Sequence, residues 1–253
     1  IAEVKDSSKK TRLIPFEFST TQTYILEFGD QYMRVYKDKG QVLSGGSAFE
    51  ISTPYLEAEL FDIKFAQSAD VLYLCHPNHD VRKLSRTGHT SWTLATVSFS
   101  GSPSLPISGA DNRPSCVSFF EQRLVFANTN NNPQTLWFSK SGDYENFTTG
   151  TNADDAMIYT IASNQVNAIQ YLKAVRTLIV GTSGGEFTVS ADGTDASITP
   201  TNVTIKRQSS FGSAGVDAIP AGNAVLFLQK ARRKIRELAY NFDSDGYVAP
   251  DLT

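Results

Sequence analysis

The chain has 253 residues, of which 23 are basic and 26 acidic, so its formal net charge is −3. This balance excludes a protein-wide positive field, and any contact with nucleic acid or an acidic membrane has to be local. No apolar stretch reaches the roughly 20 residues that a membrane-spanning helix needs, so we expect no membrane insertion.

Cys75 and Cys116 are the two cysteines, and each lies within an apolar, strand-like run. Two cysteines are too few for a disulfide framework, so we expect buried, reduced thiols and synthesis in a reducing cytoplasm. The sequence opens without a methionine or a signal-peptide pattern and stops just after Asp251. We expect it to be a fragment of a longer polypeptide.

The first predicted hairpin pairs residues 23–28 with residues 32–36, and its turns fall at Gly29 and Asp30 and then at residues 38–40. Apolar and polar residues alternate in both strands, which is the period of a half-buried strand. Glycine and aspartate suit the turns because they tolerate positive φ. The same plan recurs along the chain in residues 70–75 with 81–84, 122–127 with 135–139, 176–180 with 186–189, and 224–228 with 234–240.

Equivalent apolar positions in these hairpins recur at intervals of 47, 52, 54 and 48 residues, at Ile25, Leu72, Leu124, Leu178 and Leu226. Such intervals are close to the blade length of kelch-type propellers. One blade cannot bury both of its faces, so several must stack around an axis. We predict an all-β fold, a β-propeller-like array of about five antiparallel blade modules with few helices, either incomplete or closed. The predicted modules of this single domain, residues 1–253, are 12–47, 57–99, 114–148, 165–205 and 215–253.

An ordinary β-sandwich, or a pair of smaller β domains, would satisfy the same strand pattern without radial symmetry. Strand existence follows from the alternation of residues, whereas topology does not.

Two motifs match known site patterns but fit turns better. Residues 181–185 match the G-x-S-x-G nucleophile elbow, yet a strand-like run follows and no histidine lies downstream, so we predict a hairpin turn. Residues 241–246 match the first half of a calcium loop, but the twelfth position is Leu252 instead of a bidentate glutamate. We predict a polar turn there.

Cys75, His76 and His79, with His89 further along, are residue types that bind zinc. Their spacing does not match a standard zinc finger, and the chain has no second cysteine pair. We predict exposed loop histidines beside a buried cysteine, with no metal or other cofactor.

Five cations fall within seven residues, at Lys230, Arg232, Arg233, Lys234 and Arg236. Such a patch can contact DNA phosphates without reading sequence. It can equally be the outer face of a hairpin or a contact with a neighbouring subunit. The residues contain no catalytic set, so we predict a protein that is not an enzyme.

Several stretches of the chain have distinctive sequences: Arg12–Ser19, Gln22–Gly29 and residues 33–36, 54–60, 64–73, 77, 82–84, 222–227 and 233–240. These stretches resemble the tail nozzle, or tail tubular B-type, proteins of short-tailed bacteriophages and prophages. The resemblance covers nearly the whole chain, whereas the loops between the stretches are not diagnostic.

The resemblance implies a virion structural protein of the tail, made in the bacterial host cytoplasm. It implies a ring, most often a hexamer, below the portal and adaptor, which encloses the DNA exit channel and carries contacts for fibres or spikes. Double-stranded DNA would pass through this ring without sequence-specific contacts. Members of the family usually continue well past the point where this sequence stops, which supports the fragment interpretation.

Two other functions fit a β-propeller. One is a polysaccharide hydrolase or lyase that uses a pair of carboxylates. Glu57 and Glu59 could share one face of a strand, whereas Asp154 and Asp155, being adjacent, would point to opposite faces of a strand. The other is a carbohydrate-binding module with stacking platforms. Its candidate platforms are Trp92, Trp137 and Tyr144, although tryptophans in strand-like runs more often pack in the core.

Overall fold

Alternating residues in this chain form antiparallel β-strands almost throughout. The computed structural model describes residues 2–19, 22–162, 166–193, 196–243 and 245–253, and these contain one short 3₁₀ helix besides the strands. The chain divides into two units of dense internal contacts, Ile1–Val97 and Ser98–Thr253. None of the helical structure in the described ranges is long and apolar enough to cross a membrane.

The first unit opens with a five-stranded sheet, sheet 1, in the order β1-β2-β3-β4, with β7 also pairing with β3. Its hairpin turn at residues 38 and 39 has two successive residues with positive φ, Asp38 at 52° and Lys39 at 63°, the backbone of a tight hairpin turn. The strands of this region are β1 Arg12–Ser19, β2 Gln22–Gly29, β3 Tyr32–Lys37, β4 Gly40–Gln41, the small β5 Leu43–Ser44 and β6 Ser47–Ala48 pair, and β7 Glu50–Ser52.

The 3₁₀ helix Glu57–Asp62 follows, and a four-stranded sheet, sheet 2, completes the first unit. Alternate residues of sheets 1 and 2 meet in one core, in which Phe16 and Tyr24 pack edge-on against Trp92. The strands of sheet 2 are β8 Lys64–Ser68, β9 Val71–His76, β10 His79–Gly88 and β11 Ser91–Thr96.

The second unit contains three four-stranded sheets, each an antiparallel meander of consecutive strands. This strand order is typical of a propeller blade. Sheet 3 consists of β12 Cys116–Phe120, β13 Arg123–Ala127, β14 Thr135–Phe138 and β15 Met157–Thr160. Sheet 4 consists of β16 Ile169–Ala174, β17 Leu178–Thr182, β18 Gly185–Ala191 and β19 Val203–Ser209. Sheet 5 consists of β20 Ile219–Ala221, β21 Ala224–Leu228, β22 Ile235–Asn241 and β23 Gly246–Val248.

Sheet 4 is covered on both faces. Leu178 and Val180 on β17 pack into the core shared with sheet 3, whereas Ile179 between them packs into the core shared with sheet 5. This alternation follows from the pleat, because successive side chains of a strand point to opposite faces. The sheets of the second unit therefore stack face to face.

Each predicted module overlaps one of the five sheets, but some strands extend past the predicted boundaries. Strand β7 lies beyond residue 47, and β19 continues past residue 205. In the third module the last strand, β15, lies beyond the predicted boundary at residue 148 because a long connection with several turns precedes it. In the second, residues 57–62 are helical and the first strand starts at Lys64. Cys75 and Cys116 are buried and are not joined in a disulfide, as predicted.

Candidate functional site

A polar cluster in the first unit brings together Glu59, His76 and His79. Glu59 lies in the 3₁₀ helix, His76 ends β9 and His79 begins β10, so the tight turn between these strands places the two histidines side by side. The imidazole Nε2 of His79 lies 2.8 Å from Glu59 Oε2, and the three potential ligand atoms of the cluster lie within 4.8 Å of one another.

Glu59 accepts hydrogen bonds from three directions. The backbone N–H of Leu56 donates to Oε2 at 3.0 Å, the side-chain amide of Asn78 donates to Oε1 at 3.0 Å, and His79 contacts Oε2. Burial alone would raise the pKa of this carboxyl, but these hydrogen bonds outweigh it and lower the pKa of Glu59 to about 2. Glu59 is therefore an anionic centre that links the helix to the β9–β10 turn.

His76 is the buried member of the cluster, with 1% of its surface exposed. Its Nδ1 accepts a hydrogen bond from the backbone N–H of Asn78 at 3.0 Å, whereas its Nε2 has no hydrogen-bond partner within the described ranges. Burial lowers the pKa of His76, so its imidazole is neutral near pH 7. The ring of Tyr55 packs against both histidines, with centroid distances of 6.0 Å to His76 and 5.1 Å to His79.

The structure corrects the sequence-based account of these histidines. His76 is buried and not an exposed loop residue, since its side chain turns back under the β9–β10 turn. His89 lies apart from the cluster, with Nδ1 2.7 Å from the Tyr24 hydroxyl. Sequence reasoning missed Glu59 as a neighbour of the histidines. The available signal was its place three residues after Leu56, where a glutamate side chain can accept a hydrogen bond from the backbone at the start of a helix.

The predicted cationic strip separates into two parts. Lys230, Arg232, Arg233 and Lys234 are exposed and occupy the turn between β21 and β22, where Arg232 has a positive φ of 56°. Lys234 forms an ion pair with Asp251. The hydrogen bond from Lys234 is the largest of the interactions that lower the pKa of Asp251 to about 2. We call residues 230, 232 and 233 the cationic tip.

Arg236, the fifth cation of the strip, is buried in the second unit. Its Nη1 donates to the Ala249 carbonyl at 2.7 Å, and its Nε donates to Gln229 Oε1 at 3.0 Å. The guanidinium is therefore engaged within the chain itself, and the exposed part of the strip is the turn.

The carboxylate pairs considered for hydrolysis are held in structural contacts. Glu57 and Glu59 lie in the 3₁₀ helix and not on a strand, and Glu57 Oε1 accepts the backbone N–H of Lys10 at 2.9 Å. Asp154 and Asp155 lie in a turn and do not point apart. Both approach the ammonium of Lys140, at 3.5 and 3.1 Å.

The aromatic candidates for sugar stacking are largely inside the protein. Trp92 and Trp137 are buried, and the indole N–H of Trp137 donates to the Leu105 carbonyl at 2.7 Å. Tyr144 is half-buried and packs edge-on against Phe119, with ring centres 4.9 Å apart. Buried tryptophans present no face to a carbohydrate.

The two turn predictions fall on strand connections. Thr182 pairs with Gly185 across the tight turn between β17 and β18, so the G-x-S-x-G sequence is a hairpin as predicted. Residues 241–246 connect β22 to β23. Ser244, which belongs to the predicted calcium-like turn, lies outside the described residues.

Comparison with known proteins shows the fold. No family model and no curated protein matches the chain. The β-propeller domain of Cps50 (Swd1) from Myceliophteria thermophila is a similar solved structure, with 10% identity, a TM-score of 0.53, and coverage of 90% of this chain and 69% of that one. BamB from Moraxella catarrhalis is similar with 9% identity and a TM-score of 0.47, and the match covers 98% of this chain and 62% of that one. A protein from Lactobacillus plantarum is similar with 14% identity and a TM-score of 0.44, and the match covers 96% of this chain and 67% of that one. The likeness to the Cps50 domain, together with the repeated four-stranded meanders, confirms the predicted all-β, β-propeller fold.

Proposed function

We propose that this chain is a non-enzymatic structural component of a virion tail, namely a nozzle protein of a short-tailed bacteriophage or prophage. The observation that carries the proposal is the place in the fold of the stretches that resemble nozzle proteins. These stretches contribute to strands of sheets 1, 2 and 5, and they include buried core residues such as Phe16, Leu26 and Phe227. The resemblance therefore involves residues that determine how the sheets pack, and not only exposed loops.

A propeller fold by itself is compatible with many functions, so the proposal also needs surfaces suited to assembly. Sheet 1 leaves Leu13 and Ile25 exposed on the face opposite its core, and sheet 5 leaves Ile219 and Ile235 exposed on the face opposite Leu238. Blade faces in propellers normally pack against another blade. Exposed apolar positions on these two faces suit contacts with the adaptor, with fibres or spikes, or with a neighbouring copy in a hexameric ring.

The cationic tip suits the passage of DNA. Its three side chains, Lys230, Arg232 and Arg233, are exposed at the end of a hairpin. Contacts of lysine and arginine with phosphates do not depend on base sequence and weaken as salt increases, which fits a channel through which DNA must move. In a ring, each subunit would contribute one such tip.

The first experiment asks whether the protein is part of the virion. Purified particles of the phage or induced prophage that encodes this sequence should contain the full-length product at a constant ratio to the portal protein, measured by mass spectrometry. Deletion of the gene should give DNA-filled heads that lack a nozzle by electron microscopy and do not infect. Absence of the product from virions, or normal infectivity of the deletion, contradicts the proposal.

The second experiment tests the cationic tip. We expect the double variant Arg232→Glu with Arg233→Glu to lower DNA ejection or particle assembly, because it replaces two phosphate-binding charges with repulsive ones. The matched control is Lys10→Glu with Lys39→Glu, which makes the same charge change at exposed lysines of the first unit. If both variants assemble and eject DNA like the wild type, the cationic tip has no role in these processes. The proposed virion role would then still be decided by the first experiment.

A further inference from the structure

We propose that Glu59, His76 and His79 form a binding site for a divalent transition-metal ion, with Zn²⁺ as the best-suited ion. The inference is independent of the proposed virion role, because it rests only on the geometry of the first unit. It reverses the sequence-based prediction that these histidines have no ligand function.

The donor set is the first argument. Two imidazoles and one carboxylate are ligands that Zn²⁺ and related ions prefer, and three protein ligands leave coordination positions for water. Zinc bonds to nitrogen and oxygen of about 2.0–2.2 Å place the ligands of one ion up to ~4 Å apart. The ligand atoms here lie within 4.8 Å of one another, so a shift of less than about 1 Å closes the site.

The buried imidazole is the second argument. His76 Nε2 is a buried polar atom that makes no hydrogen bond of normal geometry in the part of the chain that the structure describes, although the backbone of Glu59 also interacts with this imidazole. Buried polar groups are nearly always satisfied, and an unpaired one needs a physical explanation. A metal ion can coordinate this nitrogen once its proton has moved to Nδ1, and no other charged side chain has to be brought into the site.

The contacts already present set the expected strength of the site. The hydrogen bond from Asn78 N–H to His76 Nδ1 keeps the ring proton on Nε2. Coordination through Nε2 moves that proton to Nδ1 and breaks this hydrogen bond. It also replaces the direct contact between Glu59 and His79. These losses offset part of the coordination energy, so we expect affinity in the micromolar range and not the tighter binding of a zinc finger.

The positions of the three ligands determine how an ion can reach the site and what its binding would do to the first unit. The side chains of Glu59 and His79 are each partly exposed, so an ion can enter from solvent. The three ligands come from the 3₁₀ helix, the end of β9 and the start of β10. A bound ion would therefore link the helix to the turn between the two central strands of sheet 2, β9 and β10, and stabilise the first unit.

The experiment uses the purified chain after treatment with a chelator, titrated calorimetrically with Zn²⁺ and followed by the visible absorption of Co²⁺ as a spectroscopic probe. We expect one Zn²⁺ per chain, a nitrogen- and oxygen-ligated Co²⁺ spectrum, and no comparable binding of Mg²⁺, which prefers oxygen ligands. His79→Gln and Glu59→Gln should each weaken Zn²⁺ binding by about 10-fold or more.

His89→Gln is the matched control, because it removes the third histidine of the chain from a position outside the cluster. It should bind Zn²⁺ like the wild type. If the wild type and His79→Gln bind Zn²⁺ with equal affinity, the proposal is overturned. Any Zn²⁺ binding would then be due to other groups, including the thiols. Saturation of the wild type only at millimolar Zn²⁺, or a Co²⁺ spectrum dominated by sulfur ligation, would overturn it as well.

Discussion

The guanidinium of Arg236 stacks on the ring of Phe211, with its central carbon 3.4 Å from the ring centre. The same guanidinium donates to the Ala249 carbonyl and to the side chain of Gln229. Arg236 therefore connects three segments of the second unit that are distant in sequence. This role distinguishes it from the exposed cations of the neighbouring turn, although all five lie within seven residues.

Arg236→Ala should lower the free energy of unfolding by about 2–4 kcal/mol, since it removes two charge-assisted hydrogen bonds and a cation–π contact. Arg233→Ala, three residues earlier and exposed, should change it by less than ~0.5 kcal/mol. Urea denaturation of both variants, followed by fluorescence, measures the difference. Similar effects from the two substitutions would show that the Arg236 contacts contribute little.

Arg123 should not tolerate replacement by lysine. Its buried guanidinium donates to the carbonyls of Ala153 at 2.6 Å, Ser139 at 2.7 Å and Asp155 at 2.7 Å. A single ammonium cannot reproduce this planar fork, and each buried carbonyl left without a donor costs about 1–3 kcal/mol. We expect Arg123→Lys to lower the unfolding free energy by about 2–4 kcal/mol on that basis.

Arg176→Lys provides the comparison for Arg123, because it makes the same change at an exposed site of the same unit. It should be nearly neutral in the same urea denaturation measurement. If Arg123→Lys is also neutral, the carbonyls of residues 153–155 must find other donors, and the fork is not required for stability.

Gly181→Ala tests the close approach of Gly181 to Tyr171. A Cβ added at Gly181 would overlap the Tyr171 ring, which is itself fully buried. Overpacking of this kind costs about 1–3 kcal/mol, so thermal unfolding of the variant should occur at a lower temperature. Gly215→Ala is the control, because its added Cβ would meet only the flexible end of Gln170 at 3.1 Å. Equal melting temperatures for the two variants would contradict the predicted overlap.

Glu186 should make the stability of the second unit depend on pH. It is fully buried, and burial raises its pKa, although hydrogen bonds from Ser209, Ser213 and the backbone of Gly212 partly oppose this effect. A carboxyl with a raised folded-state pKa contributes stability below its unfolded pKa of about 4.3, and this contribution is lost as pH rises through the folded pKa.

Relative to Glu186→Gln, the wild type should therefore become steadily less stable as pH rises above the unfolded pKa of about 4.3 and through the raised folded pKa. Denaturation at a series of pH values gives both curves, and the difference between them isolates the carboxyl. Parallel curves would mean that Glu186 has the same pKa in the folded and unfolded chain.

The strands and hairpins could be predicted from the sequence because their signals are local. Alternation in residues 23–28 and 32–36 identified β2 and β3. The second turn has positive φ at Asp38 and Lys39, whereas in the first turn the residue with positive φ is Gln31 and not the expected Gly29 or Asp30. The regular spacing of five such hairpins predicted the repeated sheets. The division of the chain into two units of contacts has no comparable local signal, and the prediction of a single domain over residues 1–253 stays a prediction.

The neighbours of the candidate metal site could be predicted only in part. His76 and His79 are three residues apart across a turn, so their proximity is a local property. Glu59 reaches them only because a helical turn at residues 57–62 packs beside that hairpin. The expected strand geometry of Glu57 and Glu59 was wrong for the same reason, since a short acidic stretch does not reveal whether it is extended or helical.

By itself, the sequence determined that this protein is built from short antiparallel hairpins, because side-chain alternation and turn residues act within a few positions of one another. Tertiary structure decided which polar groups meet. It buried Arg236 while it left Arg233 in solvent, and it joined Glu59 to two histidines on another element. These outcomes depend on how separate elements pack, and packing is a property of contacts between residues that are distant in the chain.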